Sequence, residues 1–189
     1  MRPPEADAPQ PARRRITFTK VVLIAVCLLL VAMWVYAFGF ASKKAAYRVD
    51  DAAWREHAQA VCETHDAERL ELVDTSEGYI AEPTHAQMIE RADIVDRATD
   101  ILEDQLDQIT SVVPATERDR SLIDEFAAYW RTVLGDRRAY TERLRAFELS
   151  PYRETAVDGG PVSNLLSDFA VVNEMPACAP PSDLGGGGA

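Results

Sequence analysis

VVLIAVCLLLVAMWVYAFGF, residues 21–40, carries no charged side chain and is apolar almost throughout. At 1.5 Å per residue a helix of this length measures about 30 Å, the thickness of the hydrocarbon core of a bilayer. The stretch predicts a single transmembrane helix. Trp34, Tyr36, Phe38 and Phe40 crowd its second end, where aromatic rings favour the membrane interface.

The flanks predict an orientation. Residues 1–20 carry Arg2, Arg13, Arg14, Arg15 and Lys20 against Glu5 and Asp7, a net +3, and positive charge beside a span stays on the cytoplasmic side. Rich in Pro, Ala and Arg, this segment reads as a disordered basic cytoplasmic tail. Lys43, Lys44 and Arg48 on the other flank weaken the contrast. An inverted anchor, however, would leave a disulfide-like cysteine pair in a reducing compartment. Gly39-Phe40-Ala41 has small residues where a signal peptidase cuts, but the run exceeds the roughly 7–15 residues of a secretory h-region, so a retained anchor is expected. Ile24-Ala25-Val26-Cys27 has the outline of a lipoprotein box, yet Val26 is too large beside the cysteine.

Beyond the span the expected layout is a juxtamembrane helical stalk over 41–49, an extracytoplasmic helical domain over 50–178, and a flexible Pro/Gly-rich tail over 179–189. From Asp50 onward there are 12 arginines, no lysine and 29 acidic residues, a net −17. Nucleic acid and anionic lipid both demand a basic face, so no nucleic-acid partner is expected, and contact with lipid is expected only through residues 21–40.

Cys27 lies within the span and reads as a small apolar residue. Cys62 and Cys178 both fall in the outer domain, where an oxidising environment would pair them. Closing a loop of that length is worth about 4–5 kcal/mol in the chain-entropy view, less whatever strain and denatured-state structure remove.

Hydrophobic periodicity predicts an all-α domain. No Gly or Pro occurs between Phe40 and Glu77, so the membrane helix is free to run on into the first outer helix, with Asp50-Asp51 the place for a break. Trp54, Ala58, Val61, His65 and Leu72 share one face of that helix, which Gly78 and Pro83 end. Thr84 and Gln87 have capping-box form. After them Met88, Ala92, Val95, Thr99, Leu102, Leu106 and Ile109 alternate steps of four and three, a coiled-coil-like heptad widened by Ile94 and Ile101. Pro114 closes this second helix. Thr116 with Asp119 resembles a further capping box and opens the longest helix, whose seam reads Ile123, Phe126, Trp130, Val133, Arg137, Tyr140, Leu144 and Phe147 and which stops before Pro151. Tyr152–Pro161 reads as a loop. Ser163 is expected to cap a short helix carrying Leu165, Leu166, Phe169 and Val172, and Met175–Pro181 reads as an extended strap. Three long amphipathic helices on short connections pack as antiparallel neighbours, so the expected fold is an antiparallel bundle of three long helices plus one short helix, stapled by one disulfide.

Two residues interrupt the apolar seams, His65 on the first outer helix and Arg137 on the third. Counting residues up and down the helices sets Arg137 level with Glu68–Leu72 and predicts a buried polar cluster of His65, Glu68 and Arg137. A satisfied core pair that fixes helix register is the simplest reading, since structural ion pairs perturb residues as functional ones do. Asp93, Asp96, Asp100, Glu103, Asp104 and Asp107 line the side of the second helix opposite its apolar stripe. A straight helix face cannot wrap six to eight oxygens around calcium, so this reads as a solvated face.

Motifs of catalysis are missing: no Gly-rich phosphate loop, HExxH or GxSxG occurs, and His57, His65 and His85 are not spaced as metal ligands. No catalytic, metal or cofactor residue is therefore assigned. The expected role is a non-enzymatic, membrane-anchored envelope protein that acts as a helical interaction or scaffolding module, binding a membrane or envelope protein or itself. Ala37, Ala41 and Ala45 form a small-residue row on which a second helix could pack. The competing class is an extracytoplasmic sensor or small-ligand binder acting through a separate signalling partner. A cavity around His65 and Arg137 would favour that class, and a closed seam the scaffold.

Overall fold

A computed structural model describes residues 18–36, 46–72 and 82–184. Among these, α1 covers Phe18–Val35, α2 Ala52–Leu72, α3 His85–Ser111, α4 Glu117–Arg145 and α5 Val162–Val172. Between α4 and α5 lies a small antiparallel hairpin of β1, Ala156–Val157, and β2, Gly160–Pro161, and after α5 a 3-10 turn over Pro176–Cys178. The chain divides into two units, Met1–Lys44 and Ala45–Ala189.

In the first unit α1 has a mean hydropathy of 2.6 over 18 residues, none of it buried, so it is long and apolar enough to cross a membrane. Its place near the N-terminus fits a signal sequence equally well. Most of the basic tail, Phe38 and Phe40, the alanine row, Gly78 and the Gly185–Ala189 segment lie outside the described residues.

In the second unit the expected stalk is not helical over its described part, residues 46–49. Its backbone groups are taken by side chains from distant elements. Arg118 donates to the carbonyls of Ala46 (3.1 Å) and Arg48 (3.0 Å). Asn173 accepts from the Val49 amide at 2.8 Å and donates to the Tyr47 carbonyl at 3.0 Å. The buried Asp119 carboxylate accepts from the amides of Asp50 (3.1 Å) and Asp51 (3.2 Å). A helix would have consumed these amides and carbonyls itself. Helix α2 begins at Ala52, directly after Asp50-Asp51, and the Asp51 carboxylate caps it by accepting from the Trp54 amide at 3.0 Å.

Helix α3 opens on the complete Thr84–Gln87 capping box, and every heptad residue from Met88 to Ile109 is buried. At the start of α4 only half of the expected box forms. The Thr116 hydroxyl accepts from the Asp119 amide at 3.0 Å, but the Asp119 carboxylate is spent on the segment before α2. Helix α4 ends at Arg145, short of Pro151, because Phe147 turns into the left-handed region (φ 59°) and the Glu148 amide reaches back to the Arg143 carbonyl at 2.9 Å. That turn removes Phe147 from the seam. It is half-exposed, edge-on to the His85 ring.

The segment read as a loop holds the hairpin, whose turn is Asp158 (φ 52°) and Gly159 (φ 87°), the two positive φ values that a tight two-residue turn requires. Helix α5 starts at Val162, so Ser163 is inside it; the Val162 amide donates to the Thr155 carbonyl at 3.1 Å and the Ser163 amide to the Glu154 carboxylate at 3.2 Å.

Helix α3 packs on both α2 and α4, α4 on α5, and the 3-10 turn on α2 and α5. The main core gathers Trp54, Ile109, Phe126, Trp130, Leu166 and Met175, with Phe126 stacked on Phe169 at 4.7 Å between ring centres. A second, smaller core of Met88, Ala92, Val95, Tyr140 and Leu144 carries Tyr152 and Leu184 on its rim. Cys62 and Cys178 form the disulfide, fastening the 3-10 turn to α2 across 116 residues of sequence.

Replacing Cys62 and Cys178 together by serine is expected to lower the unfolding free energy of the full chain by up to about 4 kcal/mol, read by denaturant titration. An unchanged midpoint would show that the cross-link adds nothing to stability.

Candidate functional site

The feature that sets this domain apart is a charged group inside its seam. Arg137 occupies a core position of α4 and is 2% exposed. A guanidinium cannot lose its charge at accessible pH, so burying it demands partners for its donors. Nε donates to the Thr99 hydroxyl of α3 at 3.0 Å. The two terminal nitrogens form a fork on Asp183, at 2.8 Å to Oδ1 and 3.1 Å to Oδ2. Arg69, at a buried position of α2, donates to the same Oδ2 at 3.3 Å and to Asp66 at 2.5 Å. One carboxylate thus answers two guanidiniums from different helices.

Burial alone would raise the Asp183 carboxyl, but the hydrogen bonds and charge of Arg137, with the charge of Arg69, outweigh it and hold the group below the usual carboxylate range. Tyr152 lies close enough to feel both Arg137 and Asp183. Its burial, with Glu154 and Asp136 adding to it, pushes the phenol well above its ordinary value.

The expected cluster of His65, Glu68 and Arg137 is thus not brought together. Glu68 is exposed, one position away from the buried Arg69. The partner of Arg137 comes instead from the segment read as a flexible tail, of which residues 179–184 are described and lie against the domain. Sequence reasoning missed both Arg69 and Asp183. Arg69 lies four residues beyond His65 on the same helical stripe, a signal available in the spacing. Asp183, between two prolines and a glycine run, offers no periodicity at all.

His65 is buried and sits in a separate group. Its Nδ1 donates to the Val61 carbonyl at 2.8 Å, and its Nε2 lies 3.1 Å from the Asp104 carboxylate and 3.3 Å from the Gln108 amide nitrogen. With one proton the ring accepts from Gln108, and with two it donates to Asp104. Hydrogen bonds from His65 and Gln108 hold the Asp104 carboxyl below its ordinary value.

The acidic side of α3 is likewise more than a solvated face. Arg138 of α4 reaches Asp96 (3.1 Å), Glu103 (3.0 Å) and Asp100, while Arg145 reaches Asp93 (2.6 Å) and Asp96 (2.5 Å). Residue numbers rise along α4 as they fall along α3, so the two helices pass in opposite directions. Burial acts to raise the Asp96 carboxyl, but Arg145, Thr141 and Arg138 hold it low. Asp107 remains exposed.

Two concavities lie away from the buried polar groups. A shallow one of 740 Å³ runs along Ala86, Ile89, Glu90, Asp93, Asp96 and Arg97, and a groove of 410 Å³ between α3 and α4 is lined by Glu103, Asp107, Arg131, Gly135 and Arg138 among others. Neither reaches His65 or Arg137. Among the described residues no group of three or more His, Cys, Asp or Glu side chains is disposed to hold a metal ion. No protein-family model, curated protein or solved structure matches the chain.

Arg137→Met is expected to lower stability by about 3 kcal/mol, at the low end for a broken buried pair because Asp183 keeps Arg69. Glu68→Gln is expected to change it by less than about 0.5 kcal/mol, as exposed substitutions do. Equal effects of the two in a denaturant titration would contradict the pairing.

Acid should act through Asp183. Its folded pKa lies below the unfolded value of about 3.9, so the folded state binds fewer protons in that window. The contribution is full above that value and is lost as pH falls through the lower folded one. Asp183→Asn should therefore start less stable at neutral pH and lose less on acidification, measured as Tm against pH. Parallel curves for the two proteins would contradict this.

Proposed function

We propose that this protein is a single-pass, membrane-anchored envelope protein whose antiparallel helical bundle works outside the cytoplasm as a protein-interaction or scaffolding module, without a catalytic step. The observation that carries the reading is the closed polar seam. The buried groups where ligand chemistry would sit, His65, Arg69 and Arg137, are matched to carboxylates, a carbonyl and a hydroxyl of the same chain. What the domain offers a partner is then its helical surface.

Three features support the location. α1 has the length and composition of a membrane span. The tail before it is basic, which favours a cytoplasmic N-terminus. A disulfide between Cys62 and Cys178 fits an oxidising compartment. The clamp on residues 46–51 supports a mechanical role, since tension on this segment is shared at once by α4 and by the end of α5.

In-cell crosslinking of the tagged full-length chain, followed by purification from membranes, tests the reading. One reproducible membrane or envelope protein partner is the expected outcome. Recovery of no partner at all, not even a second copy, would count against an interaction module.

A further inference from the structure

The large apolar side chains that the helical domain leaves exposed among its described residues lie toward its two ends. At one end are Tyr47 (59% exposed), Val113 (69%) and Val171 (72%). Hydrogen bonds bring these three together. Arg118, in the first turn of α4, donates to the carbonyls of Ala46 and Arg48, and Val113 belongs to the short connection that leads into that turn. Arg48 donates to the Val172 carbonyl at 2.7 Å and Asn173 to that of Tyr47, so the end of α5, carrying Val171, meets the same place. The charges here answer one another: Asp50 lies 3.4 Å from Arg118, and Glu174 lies 3.0 Å from both Arg48 and Arg55. Phe147 and Leu149 are exposed beyond the other end of α4, a helix of 29 residues. That length corresponds to about 43 Å.

Chain length decides which end a membrane meets. From Tyr36, after the apolar helix, to Ala46 there are ten residue steps, at most about 36 Å even when fully extended. Residues 46–51 add nothing to this tether, because Arg118, Asp119 and Asn173 bind them to the domain. The end delivered to the bilayer is therefore the one that carries Tyr47, Val113 and Val171. We infer that this end of the domain docks on the lipid surface, inserting those three side chains among the headgroups. Tyrosine suits that depth, with an apolar ring and a polar tip. The contact is apolar, with its neighbouring charges already matched, so it needs no basic face and adds to the lipid contact expected through residues 21–40. Three side chains would be a weak anchor for a free protein, but a tether holds them near the surface at high effective concentration. The inference rests on the membrane-anchored reading above and deepens it: one end of the domain is held against the membrane and does not stand off on a stalk.

The test uses the full chain with Cys27→Ala, which removes the free thiol and leaves the disulfide, reconstituted in phosphatidylcholine vesicles. One added cysteine carries an environment-sensitive fluorophore: Val113→Cys at the docking end, Leu149→Cys at the far end, or Leu29→Cys within α1. Lipids brominated on their acyl chains quench only a fluorophore that they touch. At position 113 a blue-shifted emission, quenched by brominated lipid and unchanged by high salt, is the expected result, and at position 149 neither effect. Adding Tyr47→Ser and Val171→Ser should abolish the quenching at 113 while the thermal unfolding transition stays in place, because both side chains are exposed. Absence of quenching at 113 with quenching present at 29 would overturn the docking and leave the membrane anchor standing. Absence at 29 would overturn both. Quenching at 113 that survives the two serine substitutions would overturn the assigned surface, since the tether alone would then account for it. A blue shift at 113 without quenching, fading as the protein is diluted in lipid, would also overturn the docking and reassign this end to a contact between copies of the chain.

Discussion

A permanent positive charge at the centre of a helical seam constrains everything around it. Arg137 cannot be neutralised and is almost wholly buried, so the domain must bring it a carboxylate and a further acceptor in fixed geometry. Thr99 sets the register of α3 against α4. Asp183 brings the strap back over α2 and α4, and the disulfide shortens the search by holding that strap's root beside α2. Arg137 also accounts for the division of the apolar residues into two cores. The charged cluster falls between Trp54, Phe126 and Trp130 on one side and Met88, Tyr140 and Leu144 on the other.

The same logic runs along the surface in milder form. A domain with a net charge of −17 would repel itself if its carboxylates stood alone, yet the acidic side of α3 is laced to α4 through Arg138 and Arg145. Partly exposed pairs contribute only a few tenths of a kcal/mol each, so their main effect is to align two long helices rather than to hold them together. Arginine suits this work because its planar fork can meet two or three carboxylates at once, and the domain contains no lysine from Asp50 onward. The segment before α2 is held by similar chemistry. Arg118, Asp119 and Asn173 replace the hydrogen bonds that a continuous helix would have made, so this segment is fixed to the domain it leads into.

Periodicity alone settled much of the architecture. The apolar run, the three long helices, the Thr84–Gln87 box and the start of α2 just after Asp51 are all local signals, each decided within a few turns of chain. The disulfide was also legible, because compartment and an even count left Cys62 and Cys178 as natural partners. Departures fell where a local signal met a distant competitor. Asp119 had the spacing of a capping box but serves the amides before α2, and Ser163 was displaced as a cap by the Glu154 carboxylate. Phe147 fitted the seam by counting and left it because the helix had already turned.

The candidate site shows the same division most sharply. That residue 137 belongs on a buried face follows from helical spacing, and that a buried arginine needs a carboxylate follows from its charge. Which carboxylate answers it does not follow from either. Glu68 stood level with Arg137 on the neighbouring helix, whereas Asp183 sat in an aperiodic stretch rich in proline. The sequence determined the faces, the helix limits and the need for a counter-charge, all properties of short stretches of chain. The tertiary structure decided the partner, because a strap without periodicity is positioned only by the surfaces it meets and by the cross-link that brings it there.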